Sequence, residues 1–114
     1  MKKLFPYLLL FCISSIYSCK KCKNEDPQAR IINKGTEKAS VQIKTSGGNT
    51  VNINNVDPGT ASVYSAFSQG QVTFTITVDN INVEKTINLN QCYYYDISID
   101  ANNIISYTSI NRNE

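Results

Sequence analysis

The run Val72-Thr73-Phe74-Thr75-Ile76-Thr77-Val78 alternates apolar and hydroxyl-bearing residues without a fault. Successive side chains on a strand point to opposite faces, so Val72, Phe74, Ile76 and Val78 share a dry face and the threonines a wet one. On a helix the same letters would scatter apolar residues around the circumference. β-Branched and aromatic residues also fit a pleated, half-buried surface. A chain built around this run is tied to a sheet that needs a second layer over its apolar face.

The same period recurs elsewhere. Val41 and Ile43 alternate with Gln42 and Lys44, and Val51 and Ile53 with Asn52 and Asn54. Ala61, Val63 and Phe67 share a face in the next segment. Ile81, Val83, Ile87 and Leu89 follow, then Tyr93, Tyr95, Ile97 and Ile99 as another inward set, and a last strand from Ile104 to Ile110. Turn signals separate these runs: Ser46-Gly47-Gly48-Asn49, Asp57-Pro58-Gly59, Gln69-Gly70, Asp79-Asn80 and Asp100-Ala101-Asn102-Asn103. Pro presets φ for a turn and Gly takes the positive φ that follows it. About seven or eight short strands with regular turns and no helical pattern predict an all-β fold, a small antiparallel β-sandwich with one wet face per sheet. At 114 residues there is room for one such domain.

Charge and missing residue types narrow the function. Taking Lys2 and Lys3 from the 11 basic residues leaves 9, against 9 acidic residues, so the body of the chain is near neutral. A nucleic-acid footprint needs a clustered basic face, and none is visible. The chain has no His, which removes the commonest general base and metal ligand. A serine nucleophile would then need a lysine partner, and no serine has one in a supporting context. The expectation is a protein that is not an enzyme and carries no cofactor and no metal.

The N-terminus carries an address. Met1-Lys2-Lys3 is a short basic region, and Leu4 to Ile16 is a largely apolar stretch of signal-peptide length interrupted by Pro6. It is shorter than the roughly 20 apolar residues of a membrane-spanning helix. Ile16-Tyr17-Ser18-Cys19 closes it. That tetrad resembles the bacterial lipobox, with Tyr17 departing from the small residue usual at its position. The resemblance implies that residues 1–18 are a lipoprotein signal peptide and that Cys19, lipidated, becomes the first mature residue. Two or three acyl chains hold a protein stably on a membrane where one does not. No aspartate follows Cys19, so the resemblance implies an outer-membrane, lipid-anchored location, on the periplasmic face or the cell surface. Residues 19–28 then read as a polar tether, 29–111 as the β-sandwich domain and 112–114 as a polar tail.

Within the domain, Arg30 to Asn33 opens Arg-aliphatic-aliphatic-Asn, and Pro58-Gly59 precedes Ser62-Val63-Tyr64. This pattern resembles small envelope lipoproteins of the Bacteroidota type. It implies an immunoglobulin- or transthyretin-like sandwich and no particular chemistry.

Three candidate sites remain. Cys19-Lys20-Lys21-Cys22 has the spacing of a redox or zinc motif, but a structural zinc site needs four ligands and a redox dithiol a βαβ setting. Cys22 and Cys92 can instead form a disulfide in an oxidising compartment, or remain free or pair between molecules. Against the bridge, alternation sets Cys92 on the face away from Tyr93 and Tyr95. The second candidate is aromatic: alternation turns Tyr93 and Tyr95 inward and displays Tyr94, which Tyr64 and Tyr107 extend into a binding surface if their strands are adjacent. Third, Asp100 with Asn102 and Asn103 is the best placed calcium loop, and Glu84 with Asp96 makes a carboxylate pair if their strands are adjacent.

Three functions fit: binding of an envelope protein or service as an accessory subunit, inhibition of host hydrolases through the loops Ser46–Asn49 and Asp57–Thr60, and recognition of a glycan or host protein through Tyr94.

Overall fold

The computed structural model describes residues 22–113. Its strands are β1 (Gln28–Lys34), β2 (Ala39–Lys44), β3 (Thr50–Val56), β4 (Ser65–Ala66), β5 (Gly70–Val78), β6 (Ile81–Leu89), β7 (Tyr93–Asp100) and β8 (Ile105–Asn111). They form two four-stranded sheets, ordered β4-β1-β7-β8 and β3-β2-β5-β6, whose inner faces pack on one another. The fold is the all-β sandwich that the periodicity predicts.

The sheet around β5 is the one spelled out by local pattern. Val72, Phe74 and Ile76 have no exposed surface, and the threonines opposite them meet β6 in cross-strand pairs. Thr73 and Thr86 share a hydrogen bond of 2.9 Å, Thr77 donates to Asn82 Oδ1 at 2.6 Å, and Thr75 donates to Glu84 Oε2 at 3.4 Å. β5 turns into β6 through Asp79 and Asn80, whose φ of 52° and 66° define the two-residue turn that matches strand twist. After β3, Thr60 N donates to Asp57 O at 3.1 Å with Pro58 and Gly59 (φ 77°) between them, a type II turn.

The other sheet departs from the antiparallel expectation. β1 runs parallel to β7, with Ala29 beside Tyr95, Ile31 beside Ile97 and Asn33 beside Ile99. A hairpin would force antiparallel sense, and none joins these two strands, so either sense is open to them. A parallel pair needs a long crossover, and here the whole second sheet serves as one.

Two boundaries also differ. Of the segment from Ala61 to Phe67 only Ser65–Ala66 is strand; Ala61 makes a lone bridge to Ile32 and Val63 is 81% exposed. Ser62 competes for the ladder: its N donates to Ile31 O at 2.8 Å while its hydroxyl accepts from Ile31 N at 2.9 Å. At the N-terminal side, Pro27 is fully buried and its carbonyl accepts from Phe67 N at 3.0 Å. From Cys22 onward the residues read as tether are therefore fastened to the domain at Cys22, Glu25 and Pro27, with Lys23–Asp26 exposed, while 19–21 lie outside the described residues.

Two polar side chains are buried among the described residues, Ser98 and, more deeply, Asn33. Asn33, 1% exposed, donates from Nδ2 to Glu37 O at 2.7 Å and Val56 O at 2.9 Å, and its Oδ1 accepts from Gly35 N at 2.9 Å. Its backbone N donates to Thr60 O at 2.9 Å and its carbonyl accepts from Gly59 N at 2.8 Å. A single residue thus fastens the end of β1 to the following turn, the end of β3 and the Asp57–Thr60 turn. Among the described residues no buried side-chain nitrogen or oxygen lacks a partner.

Candidate functional site

The outer face of the β1–β7 sheet gathers the charged and aromatic groups. Arg30 and Asp96 are direct neighbours in the parallel register, both pointing out. Arg30 Nε donates to Asp96 Oδ1 at 2.9 Å and Nη2 to Oδ2 at 3.3 Å, while Tyr64 Oη donates to Oδ1 at 2.6 Å. The Arg30 guanidinium lies 4.7 Å from the Tyr64 ring centre, Tyr64 stacks on Tyr94 at 5.0 Å, and the Arg112 guanidinium sits 5.1 Å from Tyr94. Arg112 is in turn paired with Glu25. The result is a row, Arg30–Tyr64–Tyr94–Arg112, with a carboxylate neutralising each end.

Burial alone would raise the Asp96 carboxyl, but the hydrogen bonds from Arg30 and Tyr64 and the Arg30 charge outweigh it and hold the group below its ordinary 3.8. Partial burial and the bond to Asp96 together raise the Tyr64 phenol above its ordinary value, so it stays a donor. A carboxyl lowered on folding stabilises the native state above its unfolded pKa. That contribution disappears as pH falls through the folded value. Wild-type protein is therefore expected to exceed Asp96→Asn in urea midpoint at about pH 6, with the difference shrinking once the pH falls below the ordinary carboxylate value. A difference that stays constant across the titration would contradict this role.

Tyr107 is not part of the row. It pairs with inward-facing Ile97 and lies 6.3 Å from Tyr95 on the inner side of the sheet, where its place near the open edge leaves it 44% exposed. Tyr95 is buried and accepts from Asn90 N at 2.8 Å; Tyr93 is half-buried, 6.0 Å from Tyr95. Tyr94 itself is only half-exposed because Tyr64 and Arg112 lie over it. The displayed surface of Tyr94, Tyr64 and Tyr107 thus reduces to the first two, joined by Ile110, which pairs with Tyr94 and is 54% exposed.

Cys22 and Cys92 are joined by a disulfide across 70 positions, with Cα atoms 5.7 Å apart. Cys92 is buried, not turned out as alternation suggests. It precedes β7 with a left-handed φ of 65°, so the strand's alternation does not extend to it. Its N donates to Glu25 O at 3.0 Å and its carbonyl accepts from Arg112 N at 2.9 Å, while Cys22 N donates to Asn113 Oδ1 at 2.7 Å. The N-terminal segment is clasped between the start of β7 and the end of β8. Cys19 lies outside the described residues.

The other candidates separate. Glu84 is on β6 and Asp96 on β7, in different sheets. Asp100 Oδ1 accepts from Asn102 N at 2.8 Å and Ile104 N at 3.0 Å, a carboxylate used to shape its own turn. A depression of about 150 Å³ lies beside it, with Glu37, Asp79 and Ile81 in its wall, at the end of β7 away from the disulfide. Among the described residues no group of three or more His, Cys, Asp or Glu is placed to hold a metal ion. The Ser46–Asn49 and Asp57–Thr60 loops flank opposite ends of β3, and each is braced: Ser46 Oγ donates to Gln69 O at 2.9 Å, and the second loop is bonded to Asn33.

Arg30, Asn33 and Arg112 are the residues that sequence reasoning passed over as participants. Arg30 and Asp96 meet only through the parallel register, which no local pattern reveals. Arg112 acts from beyond the last strand. No protein-family model matches this chain, and neither does any curated protein.

Proposed function

We propose that this chain is a lipid-anchored, non-catalytic β-sandwich of the bacterial outer membrane that binds a protein partner in the envelope or serves there as an accessory subunit. The observation that carries the reading is the Cys22–Cys92 disulfide, because such bonds persist in oxidising compartments. It agrees with the signal-like stretch and the lipobox at Cys19. With lipid on Cys19, the three residues to Cys22 reach roughly 10 Å, so the clasped corner of the domain would stay close to the bilayer. The lack of His in the chain supports a binding role over catalysis.

The two rival readings gain less support. A hydrolase inhibitor needs a projecting loop, and the two candidate loops lie at opposite ends of β3, each braced. A glycan platform needs free ring faces, and Tyr64 and Tyr94 already use much of theirs on each other and on two arginines. Labelling cells with palmitate tests the anchor: label is expected on the wild-type chain and absent from Cys19→Ser, and equal label on both would refute it. Crosslinking the intact lipoprotein in cells is expected to capture a reproducible envelope protein. Repeated capture of none would remove the partner-binding role.

A further inference from the structure

Each sheet has two edges, and four edge strands therefore need protection against pairing with another chain. β4 is protected by being two residues long. β3 is interrupted: Asn55 has a left-handed φ of 60°, and its register with β2 shifts between Ala39 and Val41. β6 carries Glu84 and Lys85 at its middle, so a symmetric antiparallel pairing centred on either would set like charges directly opposite. β8 has none of these devices. Its seven residues, Ile-Ser-Tyr-Thr-Ser-Ile-Asn, include no charge and no proline, have no positive φ, and pair with β7 in unbroken register.

The side of β8 that pairs with none of the described residues is also set up for hydrogen bonding. Ile104 O accepts from Asp100 N, and Arg112 N donates to Cys92 O, so the even-numbered residues direct their backbone groups toward β7. Alternation then turns the N–H and C=O groups of Ile105, Tyr107, Ser109 and Asn111 toward the open edge.

We propose that β8 is a self-pairing edge: two copies of this chain join antiparallel, β8 to β8, about a two-fold axis through Thr108. The strand is complementary to itself in that register. Tyr107 faces Ser109 of the second copy, Ile110 faces Ser106, Ile105 faces Asn111 and Thr108 faces its own equivalent. Each bulky residue meets a small or polar one, no charge meets a like charge, and about eight ladder hydrogen bonds form. On the inner side the two Tyr107 rings become diagonal neighbours, close enough for aromatic contact. Tyr107 and Ile110, now 44% and 54% exposed, are covered. The two sheets become one continuous sheet. This inference stands on the edge itself and does not depend on the lipid anchor.

Thr108 on the axis makes the register testable. Its backbone points to β7, so opposite its twin it occupies a non-hydrogen-bonded position, with Cα atoms about 4.5 Å apart and within disulfide reach. The full chain carrying Thr108→Cys, expressed in cells and run on a non-reducing gel, is expected to give a band of twice the chain mass. Ser106→Cys alone is expected to remain monomeric, and adding Ile110→Cys to it is expected to restore the doubled band. In sedimentation of the detergent-extracted chain, wild type is expected to run as a dimer and Thr108→Lys as a monomer. The native Cys22–Cys92 bridge, assayed by thiol blocking, reports whether each variant is folded. The proposal is overturned by a folded Thr108→Cys that yields no doubled band, or by equal doubling from both single variants. It is also overturned if Thr108→Cys links to a different protein, which would make β8 the site of a heterologous strand.

Discussion

Removing the Cys22–Cys92 bridge, by reduction or in the double variant Cys22→Ser/Cys92→Ser, is expected to lower the thermal midpoint by roughly 15–30 °C. The bond closes a loop of 70 positions. In the chain-entropy model a loop of that size contributes about 4 kcal/mol by restricting the unfolded ensemble. Domains of this size have total margins of about 5–15 kcal/mol, so a large part of the stability is at stake. The effect also has a local origin. Glu25 O and Arg112 N both bond to the Cys92 backbone, and Cys92 holds a left-handed φ that a non-glycine residue adopts reluctantly. Without the bridge nothing covalent maintains that corner, and Pro27 loses a restraint on its burial. Thermal unfolding followed with and without reductant measures the effect. A midpoint that moves by less than about 2 °C would mean that the N-terminal segment docks by packing alone.

The second large effect is expected at Asn33. Asn33→Leu keeps the branched side-chain skeleton, with two bulkier methyl groups, but strips the partners from Val56 O, Glu37 O and Gly35 N. Only the bond to Val56 is fully buried, and the other two partners can recover some water. At about 1–3 kcal/mol for a buried orphan and less for a half-buried one, the loss is expected near 3 kcal/mol. Asn33→Asp is expected to cost at least as much at neutral pH, because a carboxylate would face two carbonyl oxygens in a desolvated site. Lowering the pH should then recover part of the loss for Asp and none for Leu, since a protonated carboxyl regains one donor. Urea unfolding of the three proteins at two pH values separates these cases. A loss below about 1 kcal/mol for Leu would show that the Asn33 backbone bonds suffice to hold the turns.

The sequence reveals what is local. β5 with its threonine face, the Asp79-Asn80 hairpin and the Pro58-Gly59 turn all follow from neighbouring residues, and the structure has them where the period and turn chemistry put them. What the period cannot reveal is partnership between distant segments. The sense of β1 against β7, and with it the meeting of Arg30 and Asp96, depends on the whole intervening chain. Alternation also stops at strand ends. Cys92 lies one residue outside β7 and points elsewhere, and Tyr107 lies on the inner side yet near an open edge. The row of two tyrosines between two arginines is likewise assembled from an irregular segment, two strands and the residue after a third. No periodicity could have announced it.

The pairing of β1 with β7 sets a timetable for synthesis. The four strands of the other sheet are all present once Leu89 has been made, and neighbouring segments such as β5 and β6 can pair at once. β1 is made first of all, yet its long partner is complete only at Asp100, after most of the chain has emerged. Contacts between such distant segments form slowly, because the chain between them must be ordered first. Throughout that interval Ala29 has only Ser65 of β4 beside it in its own sheet, and Ile31 is bonded only to Ser62. The oldest strand of the nascent chain is thus the one that waits longest.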